Sequence, residues 1–134
     1  MRQVTSTGGR DVVSEEFTIH DLRRIRDLIA RLAARAGIST LKIDRLVWVV
    51  NEFASNVVVH GGGRGRVTVT TTFDGVRVAV TDWGPGLAPS AGNALPAASA
   101  SGGRGLWMAR QLYPQMVITS GLVGTTVSVF AART

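Results

Sequence analysis

No cysteine occurs in the 134 residues, which excludes a disulfide framework, Cys-ligated zinc and thiol catalysis, and fits a reducing compartment. Lysine is almost as scarce. Lys42 is the only one, so the formal net charge of +6 is carried by arginines. Aromatic residues make up 6% of the chain, too few to interleave with the basic residues as stacking platforms for single-stranded nucleic acid. Apolar runs are short: none approaches the ~18 residues of a membrane span, and polar residues rather than the apolar segment of a secretion signal follow Met1-Arg2-Gln3. The expected setting is the cytoplasm, with no membrane contact. Histidine is limited to His20 and His60. No serine sits in a GxSxG setting, HExxH is absent, no GK[ST] occurs, and no GxGxxG follows a strand. A hydrolase triad, a zinc protease site, a Walker loop and a dinucleotide fingerprint therefore all lack their residues.

The basic charge itself is weak evidence for nucleic acid. Arg23, Arg24, Arg26, Arg31 and Arg35 recur along one predicted helix, mostly on its polar side, as a solvated face does. The length suits one domain able to bury a core without disulfides or metals. A polar segment over residues 1–13, ordered in part, is expected to precede a single domain over residues 14–134.

What the chain does contain is centred on Leu46 to Gly63, LVWVVNEFASNVVVHGGG. At about 100° per residue, Ile43, Leu46, Val47, Val50, Phe53, Ala54, Val57 and Val58 form a broad apolar stripe. Arg45, Val49, Glu52, Asn56 and His60 form a narrower stripe beside it, which puts Glu52 and Asn56 four residues apart on one side of a helix. One face packs and its neighbour can meet a ligand. Asn51 and Ser55 fall with Asp44 on a third, solvent-facing sector.

Before this helix, residues 1–13 include Gly8-Gly9 and are expected to contain a frayed or linker segment, with a short strand between Ser14 and Ile19. Thr18 reads as an N-cap with Asp21 as capping-box partner, opening a helix that carries Leu22, Ile25, Leu28, Ile29, Leu32 and Ala36 and closes at Gly37. Ser39 or Thr40 caps the second helix. From Arg66 the period changes to two. Val67, Val69 and Thr71 alternate with threonines, Asp74-Gly75 is a strong hairpin signal, and Val76, Val78 and Val80 lead in phase to Asp82. An acid therefore ends a strand on its apolar face, where it is costly unless satisfied. Trp83-Gly84-Pro85-Gly86-Leu87 is a turn. Ala88 to Ser101 has neither periodicity nor charge, as a functional loop does. Gly102-Gly103-Arg104-Gly105 then opens a helix with Leu106, Ala109 and Leu112 in phase, stopped by Pro114. Two strands follow, Met116 to Ser120 and Thr125 to Ala131. This order predicts an α+β fold, a two-layer sandwich whose sheet is mixed but mostly antiparallel, with helices on one face.

Glycines at a helix N-terminus let unpaired N–H groups approach a phosphate, and Arg104 adds charge there. Taken together, Glu52-x-x-x-Asn56, Asp82-x-Gly84-x-Gly86, Gly103-x-Gly105-Leu106 and Gly124-Thr125 occur in the order of four motifs of the GHKL ATP-binding superfamily, and the chain resembles that superfamily from about Val13 onward. Its fold is the Bergerat type. With this length, and without a dimerisation helix or phospho-acceptor region, the chain is most similar to small anti-sigma factor and switch serine/threonine kinases, whose second helix is like Glu52-Phe53-Ala54-Ser55-Asn56-Val57-Val58-Val59-His60-Gly61.

The resemblance implies ATP and Mg²⁺ as ligands, with Asn56 binding the metal and Glu52 acting as general base toward a partner's serine hydroxyl. Asp82 would accept a hydrogen bond from the adenine amino group, supported by Thr125 through water. Gly84, Gly86 and Leu87 would form the adenine turn, and Gly103, Arg104, Gly105 and Leu106 the phosphate side. Residues 88–101 would be the ATP lid. His60 either shares in the site or caps carbonyls at the end of its helix. The implied partner is a STAS-domain anti-anti-sigma factor; the resemblance leaves open a sigma factor, a phosphatase and a second copy of the chain. The lid departs from the pattern, because no cation occurs before Arg104 and phosphoryl transfer depends on positive charge. An ATP-gated binding switch with little turnover therefore stands as the alternative to a kinase.

Overall fold

The computed structural model describes residues 2–84, 104–121 and 124–134. In chain order the elements are β1 (Arg2–Thr7), β2 (Arg10–Thr18), α1 (Leu22–Arg35), α2 (Thr40–His60), β3 (Arg64–Thr72), β4 (Gly75–Asp82), α3 (Arg104–Leu112), β5 (Val117–Gly121) and β6 (Gly124–Ala132). The described strands form one sheet in the order β1-β2-β3-β4-β6-β5. Each pairing in it is antiparallel.

The N-terminal residues are more ordered than their polarity suggests. Gly8 and Gly9 adopt φ of +58° and +78°, the left-handed pair that a two-residue hairpin loop requires. β1 consequently pairs with β2 from Thr7↔Arg10 to Arg2↔Glu15, in place of the expected frayed or linker segment. All six β1 residues are exposed, so backbone pairing rather than apolar burial holds this strand. Glu15 is the exception to the polar surface: it is buried, flanked by the guanidinium groups of Arg2 and Arg24.

Thr18 forms the expected capping box with Asp21, but the chain first makes a single 3-10 turn, Ile19–Asp21, before α1 begins. Ile25, Leu28, Ile29 and Ala33 of α1 are buried, and the five arginines of its sequence are exposed. Gly37, at φ +84°, lets the chain reverse. Ser39 then caps α2, its hydroxyl accepting from the Lys42 N–H at 3.4 Å.

α2 is the central helix, with Leu46, Val50, Phe53, Ala54 and Val57 all buried. Val49 is fully buried as well and so belongs to the core rather than to the ligand-facing stripe. α2 touches the sheet on one side and α1 and α3 on the others, so its apolar arc is wider than a single stripe. Asn51, placed with the solvent sector, is half-buried and accepts from Arg26 of α1 at 3.5 Å.

In the sheet the two-residue period holds. Val67, Val69, Val76, Val78, Val80, Val127, Val129 and Ala131 share the helix-facing side and form one core with the helices. The opposite side is lined by hydroxyls, with Ser14 and Thr68 at 3.2 Å and Thr81 and Thr126 at 2.9 Å. The β3–β4 turn is made by Phe73 and Asp74, with Thr72 opposite Gly75. The expected hairpin thus forms with its loop one residue earlier. β6, last in the chain, inserts between β4 and β5. Among the described residues no helix is long and apolar enough to cross a membrane.

Candidate functional site

β4 carries Asp82 to one end of the sheet, opposite Gly65 of β3 on one side and Thr125 of β6 on the other. Asp82 is 9% exposed and Thr125 2%, and both follow the period of the inward valines, as the alternation requires. The Asp82 carboxylate is satisfied in part by its own turn, since Oδ1 accepts from the Gly84 N–H at 3.0 Å. Its other oxygen, Oδ2, faces Gly61, where an added Cβ would stand 2.8 Å away. The Thr125 hydroxyl lies 3.0 Å from that of Ser120.

Glycines make this end of the molecule close-packed. A Cβ on Gly84 would come within 2.6 Å of the Gly61 Cα, so the exit of β4 and the exit of α2 meet backbone to backbone. Gly124, at φ +135°, lies against the Asp82 carbonyl, and any side chain there would strike it. Gly61 was expected only to end a helix. Its role beside Asp82 was missed, although three successive glycines are more than a helix terminus needs.

The second group of residues lies on α2 and α3. Glu52 and Asn56 are both half-buried. α3 starts at Arg104, and Gly105 in its first turn lies against the Glu52 carboxylate: a Cβ on Gly105 would overlap Oε2 and stand 2.9 Å from Cδ. Leu106 sends its side chain into the core at 3% exposure. The two groups are joined by α2 itself. Nine residues separate Glu52 from Gly61, or about 13 Å along a helix axis. Trp83, 48% exposed, stands beside this end of the sheet with the Arg64 guanidinium 5.8 Å from its ring centre.

Gly86, Leu87, Gly103 and the expected lid, residues 88–101, lie outside the described residues, as do the side chains of His60 and Arg104. Among the described residues no cluster of three His, Cys, Asp or Glu exists. The amide oxygen of Asn56 is a hard donor of the kind that Mg²⁺ takes beside phosphate and water oxygens.

The sequence matches the family model of the histidine kinase-like ATPase domain over residues 16–130. The chain belongs to that family. The matched span contains every site residue named above, from Glu52 to Thr125. In structure the domain is similar to the RsbU and RsbW domains of Rv1364c from Mycobacterium tuberculosis, with a TM-score of 0.61, 24% identity and 87% of this chain covered. The chain spans 31% of the length of that solved chain. It is also similar to the catalytic domain of the histidine kinase ThkA, with a TM-score of 0.53, 16% identity and coverage of 90% of this chain and 97% of the other. Identities this low carry the fold and no more. No curated protein sequence matches the chain. The α+β sandwich expected from the element order is the fold found, and the four-motif resemblance is that of the matching family.

Proposed function

We propose that this ATPase-type domain is a Mg-ATP-dependent protein serine/threonine kinase of the anti-sigma factor and switch kinase type, acting on a STAS-domain anti-anti-sigma factor. The observation that carries the reading is the position of Glu52 against Gly105: a candidate base sits at the first turn of the helix whose N-terminus would receive phosphates. The adenine end and the phosphate end would lie along α2, at Asp82 with Gly61 and at Glu52 with Gly105, as an elongated nucleotide needs.

In this reading Asp82 accepts from the adenine amino group, and Thr125 supports the contact through water. Gly84, Gly86 and Leu87 let the ring pass, while Gly103, Arg104, Gly105 and Leu106 offer backbone N–H groups and one cation to the phosphates. Asn56 would hold Mg²⁺, which when bound neutralises phosphate charge; His60 belongs to the same end of α2. Glu52 takes the proton of the partner's serine hydroxyl as its oxygen attacks the γ-phosphorus, and the bond to the β-phosphate oxygen breaks to release ADP.

The uncharged residues 83–103 favour a second reading, in which ATP gates the holding of a partner, a sigma factor or a phosphatase regulator, with little turnover. Incubation of the chain with labelled ATP, Mg²⁺ and a STAS-domain protein, in parallel with Glu52→Gln, separates the two. Transfer to a serine that Glu52→Gln abolishes while ATP still binds supports the kinase. Absence of transfer, with partner binding that responds to ATP, supports the switch.

A further inference from the structure

A cleft of about 410 Å³ opens at the other end of β4 and β6 from Asp82. Arg77 on its wall precedes Asp82 by five residues, about 16 Å along a strand. Lys42 and Arg45, from the first turns of α2, form a second wall, and Tyr113, Met116 and Phe130 supply apolar surface. Among the described residues, three cations and no carboxylate line it. Arg45 and Arg77 are exposed, and the Arg77 guanidinium lies 5.4 Å from the centre of the Phe130 ring.

The cleft also exposes backbone. β5 begins opposite β6 at Val117↔Ser128, while β6 continues along β4 to Ala132. Among the described residues no strand lies beside the outer edge of β6 over residues 129–132. The Arg133 N–H donates to the Asp74 carbonyl at 2.8 Å, on the β4 side, so by alternation the peptide groups of Phe130 and Ala132 point outward. Lys42 Nζ donates to the Ala132 carbonyl at 3.0 Å and covers that one acceptor. Among the described residues no strand is registered against the outward N–H and C=O of Phe130, where a strand continuing the line of β5 would pair.

An open edge is a template for an added strand, and here its rim has one sign of charge. We propose that this cleft docks an extended acidic segment of a partner protein, which pairs its backbone with Phe130 and sets its carboxylates among Lys42, Arg45 and Arg77. A small free anion would use the cations without the edge. An added strand uses both, and that difference decides the test.

The probe is a fluorescein-labelled heptapeptide of alternating Val and Glu, titrated with the full chain and followed by anisotropy. The controls are the matching Val–Lys peptide and a Val–Glu peptide N-methylated at its central residues. Saturable binding is expected for the Val–Glu peptide alone, weakened at least tenfold by Arg45→Glu and by Arg77→Glu, both at exposed positions. Amide exchange at Phe130 is expected to slow on binding. The interaction is expected to survive Asp82→Asn, so its failure is separable from failure of the nucleotide reading. Equal binding of the N-methylated peptide, protection at the edge of β1 instead of at Phe130, or absence of saturable binding to the wild type would overturn the proposal.

Discussion

Gly105→Ala isolates the geometry of the candidate base from the stability of the fold. The new methyl would overlap Oε2 of Glu52 and stand 2.9 Å from Cδ, whereas carbon atoms settle about 3.5–4.0 Å apart. The carboxylate must therefore retract by about 1 Å, and a displacement of that size at a reacting group costs about 100-fold in rate, or roughly 2.7 kcal/mol of barrier. Folding is expected to be almost unaffected. The obstructed atoms are the free end of a flexible side chain, and alanine is favoured over glycine in a helix by up to about 1 kcal/mol. The measurement is a single-turnover rate of phosphate transfer to a STAS-domain protein, with a melting curve of the same sample. The expected result is a rate about 100-fold down and a melting temperature within about 4 °C of the wild type. Transfer at the wild-type rate by a variant that folds normally would refute the claim that the place of Glu52 against α3 matters.

Asp82→Asn keeps an oxygen for the Gly84 N–H, so the turn should survive while ATP affinity in calorimetric titration falls by about 10–100-fold, the worth of a hydrogen bond to a charged group. Gly124→Ala places a side chain against a backbone carbonyl that cannot move aside, and a loss of about 2–4 kcal/mol is expected in denaturant unfolding, well beyond an ordinary surface change. Phe53→Ala empties a position 2% exposed in the core, at an expected cost of about 3–5 kcal/mol. Tyr113 is the single tyrosine; burial raises the pKa of its phenol above the ordinary 10.0, with the Arg45 charge opposing. Because the folded value is the higher one, its contribution to stability is complete below pH 10 and is lost as the pH rises through the folded value. Ultraviolet titration of phenolate should show a midpoint above 10, and Tyr113→Phe should remove that part of the alkaline loss of stability.

Much of this architecture is legible in local patterns. Capping by Thr18 and Ser39, the valine alternation toward Asp82 and the glycines before α3 are written in a few adjacent residues, because backbone hydrogen bonding and side-chain period are local constraints. Val49 shows where that legibility stops. Helical phase placed it beside Glu52, but phase does not say how many neighbours surround a helix, and α2 is packed on several sides. β1 shows the same limit: polar residues carry no burial signal, and only the partner strand makes the segment ordered.

The sequence alone determined the element types, the acid at the end of an apolar strand face, and the ordered motifs that lead to the family. Tertiary structure decided which of these residues meet. The insertion of β6 between β4 and β5 sets Thr125 opposite Asp82, the return of α2 to the exit of β4 presses Gly61 against Gly84, and the docking of α3 on α2 brings Gly105 to Glu52. These contacts join residues from 20 to more than 50 positions apart, so they arise from packing and strand order, which no local period encodes.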